Sequence, residues 1–444
     1  MKRLVLSLAL LVSYLYLNAY NPEYLDHSEN PPLAPIEYRR PGFWISRHPA
    51  PDSLIMNPRQ IEDFNARVLG LGQIYNMTYS RNDTQGWGFA EMMTANLRYA
   101  RAKTDYHLDG SRIDKAFWEQ ISENIDVKKF RATARPRFAF PVRFTSQRII
   151  PTSEAILELA DDPDFDYAQN SGADIGDPTI IFHESKDGKW LFGYNRASAG
   201  WYLKEDLCLL ELEDWQAYKD TESFVVTVSN KSDLWLDKEA TDFYGFIRMG
   251  NSLPLLGIEG DYYRVALPSS EPKAAYIHVR DAHPGYLPYT ARNVYNQAFK
   301  LLNTPYGWGD MNGEYDCSGI IKQIFACFGI HLPRNGSQQS VSAIKIHQFK
   351  EEIPDAKERL IVEKALPGIT LLRFPGHIML YLGAVDGKAY ILHSTWGART
   401  PGTGGKDQIL VINKVVVSDL SLGEGSQKRS LLQRLTDISK VSLP

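Results

Sequence analysis

Apolar residues along this chain recur with two different periods, and each change of period marks a change of architecture. Between residues 58 and 130 the spacing is helical. Ile61, Phe64, Val68 and Leu71 share one face behind Asn57, a good cap, and Pro58, suited to a first helical position. Further helices are expected at 88–100 and 114–124. From about residue 131 the pattern turns into short runs bounded by Asp, Gly, Pro and Ser: Ile149 to Thr152, Thr179 to Phe182, Trp190 to Tyr194 and Gly200 to Leu203. The same style recurs at Phe224 to Val228, Gly245 to Arg248, Tyr262 to Val265 and Ala275 to Val279. After a proline-rich link at 284–289 the helical period returns in Val294, Ala298 and Leu301. It returns again in Ile320, Ile321, Ile324, Phe325 and Phe328, with Gly329 as the stop. Two alternating runs, 375–383 and 389–397, read as a pair of strands.

At 444 residues the chain is too long for one core, so several domains are expected. A hydrophobic content of 43% and a charged content of 23% are those of a globular protein. A net charge of −4 without a long basic run gives no footing for nucleic acid. Residues 1–19 read as an export signal: Lys2 and Arg3, an apolar run from Leu4 to Leu17, then Ala19. That run is shorter than the ~20 residues a membrane span needs. The mature chain is therefore expected in the periplasm or cell envelope, not spanning a membrane, as a monomer. No spacing suggests a metal or cofactor. Of the three cysteines, Cys208 and Cys327 are expected to be buried free thiols.

The third, Cys317, carries the candidate chemistry. A glycine-rich aromatic loop runs from Thr304 into Asp316-Cys317-Ser318-Gly319, where the helical pattern begins. A thiol in a first helical turn meets unpaired N–H groups and the positive end of the dipole, which lower its pKa and favour the nucleophilic thiolate. Downstream, His377 and His393 stand sixteen positions apart, an even number that puts both on one face of a hairpin. A two-residue Asp386-Gly387 turn would break that parity, so a longer loop is expected. A thiol, a base and a third polar group orienting the base form an activated nucleophile. Taken singly, each of these residues would more often be structural.

Tyr306-Gly-Trp-Gly, Asp316-Cys-Ser-Gly, Leu332-Pro-Arg, Gly376-His377 and His393 resemble the NlpC-type cysteine peptidases, papain-like enzymes that cut bacterial cell-wall peptides. The resemblance implies Cys317 as nucleophile, His377 as base and His393 as the orienting residue, and covers about 285–415. One departure is Gly336, where the family usually has a small hydroxyl residue. The stretch Ser198 to Asp206 resembles the last strand of a bacterial SH3-like barrel.

The fold class implied is multidomain α+β. It comprises a signal at 1–19, a mostly helical N-terminal clip region at 20–130, two small all-β SH3-like barrels at 131–215 and 216–284, and a papain-like NlpC domain at 285–444. Residues after 416 receive no function and read as weakly helical from 429 to 439. The arrangement is similar to a subgroup that cleaves γ-D-glutamyl-diamino acid bonds in peptidoglycan stem peptides. Within it, Asp316 and Ser318 would recognise the free amine of L-alanine. Tyr306 would line the site, and Trp201 or Tyr202 from the first barrel would close its far end. The alternatives are a wall-binding scaffold whose peptidase domain has lost activity, and a papain-like acyltransferase.

Overall fold

The computed structural model describes residues 33–79, 88–130, 136–402 and 405–444. The expected export signal lies outside them. Among the described residues, no helix is long and apolar enough to cross a membrane.

The three expected N-terminal helices form at Pro58–Gly70, Phe89–Lys103 and Lys115–Ile125. Asn57 and Gln60 make a reciprocal capping box at the first, and Asp114 caps the third through Phe117 N. These helices build no core of their own. Ile61, Phe64 and Val68 join the core of the C-terminal domain, whereas Phe89, Met93, Trp118 and Ile121 join that of the first barrel. The described part of the preceding segment, from residue 33, packs on the C-terminal domain. Buried Trp44 packs so closely on Gly383 that a Cβ there would meet its ring at 3.2 Å.

Two seven-stranded antiparallel sheets follow. Numbering each set of strands from one to seven, both run in the order 3-2-6-5-4-1-7. In the first the strands span Arg137–Pro141 to Leu207–Leu210, in the second Phe224–Thr227 to Ala282–Pro284. An identical and non-trivial strand order is what two copies of one barrel produce. Ile149 to Thr152, expected as a strand, is a buried turn. Arg148 reaches back to the carbonyls of Thr152 and Glu154 and so ties off the chain there.

The C-terminal domain is a six-stranded antiparallel sheet. Its order is Ile344–Gln348, Asp437–Lys440, Thr370–Phe374, His377–Val385, Lys388–Pro401 and Asp407–Asp419. Helices Ala291–Lys300 and Cys317–Ala326 share a core with Ile378, Leu380 and Leu392. Helix Pro354–Lys364 shares another, through Ile361, with Met379, Tyr381 and Ile391. The expected C-terminal helix is a correction: only Leu431–Arg434 is helical, and Asp437–Lys440 is a strand paired on both sides. Four residues are too few to show a period, and fully buried Ile438 gains more from two strand neighbours than a short helix offers.

Candidate active site

Asp316 caps the Cys317 helix, its Oδ1 accepting from Gly319 N at 2.8 Å. Ile320, Ile321, Ile324 and Phe325 are fully buried and fix the helix against the sheet. Cys317 thus becomes the first helical residue, half-buried in the lining of a cleft of about 1030 Å³. The cleft has three walls. The C-terminal domain gives Tyr306, Trp308, Cys317, Ser318 and His377, the first barrel Tyr167, Asn170 and Ser198, and the N-terminal region Tyr75 and Tyr99.

The two histidines meet by a different route from the expected one. Their hairpin does turn on two residues, Asp386 and Gly387, at φ 51° and 78°, with Val385 paired to Lys388. A register shift between Tyr381 and Gly383 then inserts one residue and restores the parity that the turn breaks. His377 Nε2 consequently lies 2.8 Å from His393 Nδ1.

Hydrogen-bond donation fixes which nitrogen does what. The Ser418 hydroxyl donates to the Asp419 carbonyl at 2.9 Å, so its oxygen accepts from His393 Nε2–H at 3.1 Å. His393 Nδ1 is then an acceptor, and His377 Nε2–H must donate to it. The Nδ1 of a neutral His377 is left with a bare lone pair. Burial first, then the Arg434 charge, lower the His377 pKa to about 4, while burial and His377 hold His393 well below the usual range.

The thiol corrects an expectation. Burial, then the neighbouring Asp316 carboxylate, push Cys317 up to about 12, more than the Ile378 N–H and Arg334 bring it down. Burial thus favours the uncharged form of both the thiol and the imidazole. Alkylation of Cys317 by iodoacetamide should accelerate about tenfold per pH unit between pH 6 and 9 without levelling, following the thiolate fraction. A plateau beginning near pH 5 would instead mean a preformed thiolate–imidazolium pair.

Asp316 is not a free carboxylate. Arg334 Nη1 donates to its Oδ1 at 3.0 Å and Nη2 to its Oδ2 at 2.6 Å, and Ser318 Oγ donates to Oδ1 at 3.0 Å. Burial works against ionisation, but Arg334 and these donors outweigh it and hold the group below the ordinary carboxylate range. Gly336, the departure from the family pattern, starts a helix whose first turn lies on the histidine strand. A Cβ there would meet Ile378 Cγ2 at 3.0 Å.

Tyr306 and Ser318 line the cleft as expected. Trp201 and Tyr202 do not. Both are fully buried, Trp201 against the core shared with the N-terminal helices and Tyr202 in a separate cluster, where its hydroxyl meets Gln147. Consecutive residues of this strand face two covered sides, so neither ring reaches the cleft. Cys327 is fully buried and Cys208 half-buried; both are free thiols. Arg334 and Ser418 were not singled out as site residues. The Leu332-Pro-Arg motif is a signal for Arg334, whereas Ser418 has none, being a serine in an apolar strand.

Residues 303–407 match the NlpC/P60 family and residues 157–202 an SH3 domain of SH3b1 type. The gamma-D-glutamyl-L-lysine dipeptidyl-peptidase of Bacillus subtilis (strain 168) is 31% identical over 90 residues, which are 20% of this chain and 29% of that protein. The bifunctional muramidase/DL-endopeptidase CwlT of the same strain is 40% identical over 57 residues, 12% of this chain and 17% of that one. The matches thus span less than a third of either curated relative. Among solved structures, an NlpC/P60 endopeptidase from Photobacterium damselae subsp. piscicida shares the fold at TM-score 0.75 and 20% identity, covering 93% of this chain and 99% of that one.

Proposed function

We propose, from an NlpC/P60 domain joined to tandem SH3-like barrels in one chain, that this protein is a cysteine endopeptidase of peptidoglycan stem peptides. The bond cut is the γ-D-glutamyl-diamino acid bond. The observation that carries the reading is the hydrogen-bonded chain from His377 through His393 to Ser418, with His377 and Cys317 lining the same walled cleft.

In this mechanism His377 Nδ1 takes the thiol proton as Sγ attacks the γ-amide carbonyl. The imidazolium then protonates the leaving amine, and water activated by the same nitrogen releases the acyl group. His393 shares the imidazolium charge through its Nδ1 lone pair. The oxyanion faces the N–H of Cys317, which has no acceptor within its own helix. A paired His377 and His393, with His377 and Cys317 lining one cleft, speak against an inactive scaffold.

The substrate is a short released peptide whose L-alanine amine is free. The cleft's volume is close to the ~300–1000 Å³ typical of small-molecule pockets, and the first barrel and N-terminal region wall it off. A tripeptide fits that space better than a glycan strand. Asp316 and Ser318 line the cleft, and since Arg334 already engages both, taking the ammonium in a charge-assisted hydrogen bond means that the amine displaces one of those donors, which an amide nitrogen cannot do. Export to the cell envelope follows from this substrate. The test compares L-Ala-γ-D-Glu-diaminopimelate with its N-acetyl form. The free amine should be cut faster by about tenfold or more, as expected for loss of one charged hydrogen bond of ~1.5–3 kcal/mol. Equal rates would overturn the amine requirement and leave the peptidase reading standing.

A further inference from the structure

Among the described residues, the second barrel lines no part of the cleft. One of its side chains is nevertheless linked by three successive ion pairs to Asp316, the residue before Cys317. Arg248 ends strand 3 of that barrel and is fully buried. Its Nε and Nη2 donate to Asp174 Oδ2 at 3.0 and 2.7 Å, and Asp174 directly follows strand 3 of the first barrel. Its Nη1 lies 3.5 Å from Asp310 Oδ2 in the glycine loop. Asp310 Oδ1 accepts from Arg334 Nη2 at 2.9 Å, and Arg334 holds Asp316.

Five buried charges therefore alternate in sign, from the first barrel through the second to the cap of the Cys317 helix. Phe144 and Tyr315 cover the Arg248 guanidinium at 4.6 and 4.8 Å from their ring centroids, and Tyr315 directly precedes Asp316. Gly319 is part of the fit, since a Cβ there would lie 2.7 Å from Asp310 Oδ1. Lys322, on the Cys317 helix, also feels this network: Asp310, Asp177 and Asp174 favour its charge, whereas burial and Arg248 oppose it.

Buried ion pairs add little net stability over apolar contacts of the same volume. What they add is direction. In a low-dielectric interior each charge is placed by its two neighbours, with little screening by salt. We propose that Arg248 and Asp174, one from each barrel, are positioning residues for chemistry at Cys317, acting through Asp310, Arg334 and Asp316; this rests on the peptidase reading above. Without Arg248, Asp310 loses one of its cations and draws Arg334 away from Asp316. The cap then loosens, and the surroundings of the thiol become more negative.

The test uses the full chain carrying Arg248→Met, Arg248→Lys, or Arg248→Met with Asp174→Leu, which leaves no orphan carboxylate at 174. For each, kcat and KM on the free-amine tripeptide, the pH profile of Cys317 alkylation and the melting temperature are measured. Arg248→Met should lower kcat about tenfold, the size of effect expected along a coupled network, with KM within about twofold. Its alkylation profile should move to higher pH, and Arg248→Lys should recover part of both losses. Alkylation needs no substrate, so it judges this inference even if the peptidase reading fails, and Cys317→Ala judges that reading separately. If Arg248→Met does not fold, the double variant carries the test. If that also fails, Arg248→Lys carries it, with the same sign of shift. A folded variant with wild-type kcat and alkylation profile, or one altered only in melting temperature, overturns the proposal.

Discussion

Muropeptides incubated with Cys317→Ala are expected to stay intact where the wild type consumes them, a loss of roughly 10⁴-fold or more, as when the nucleophile of a catalytic triad is removed. No other group can replace this thiol. Cys327 is fully buried, its Sγ 3.7 Å from the Thr227 carbonyl and pushed up to about 12 by burial. Cys208 lies on the seventh strand of the first barrel and lines no part of the cleft. Changing Cys327 to alanine should therefore leave most turnover, at the cost of some packing. Mass spectrometry of the digests decides the matter. Diaminopimelate peptides released by Cys317→Ala would show that the nucleophile lies elsewhere.

The second large effect separates the two histidines. His377→Asn should cost about 10²–10⁴-fold in kcat, the usual worth of a general base, because an amide cannot take the thiol proton. His393→Asn should cost only about tenfold, since Asn can accept from His377 Nε2–H through Oδ1 and offer its NH₂ to Ser418. The neutral pair adds a pH signature. Turnover should fall as pH drops through about 4, where His377 gains a proton and can no longer accept one. Equal losses in two folded variants would give His393 more than an orienting role.

How far this was legible in the sequence depends on the range of the interactions involved. The Cys317 helix could be read because its apolar face and its Asp316 cap lie within a few residues of one another. Parity put both histidines on one face, although through a wrong loop. The bulge that made parity work leaves only Gly383, at φ 143°, as its trace. Trp201 and Tyr202 misled for a physical reason. They were chosen by resemblance, and their strand is covered on both sides, Trp201 by the core shared with the N-terminal helices and Tyr202 by a separate cluster. The depressed thiol pKa was inferred from the helix start alone, whereas burial first, and then the Asp316 carboxylate, push the thiol up. Nothing local could place Asp174 beside Arg248, 74 positions away, or Ser418 beside His393.

The strand Asp437–Lys440 bears on the order of synthesis. It lies between Ile344–Gln348 and Thr370–Phe374, and Asp437 also receives Arg373, a cleft residue, at 3.1 Å. A chain growing from its N-terminus acquires the thiol, both imidazoles and Ser418 before it acquires the strand that fills the gap in their sheet. Until residue 440 has left the ribosome, the two halves of that sheet have an open seam, and the arginine at the cleft lacks its anchor. A nascent chain would thus hold all of its candidate site residues before it holds the strand that joins the two parts of their sheet.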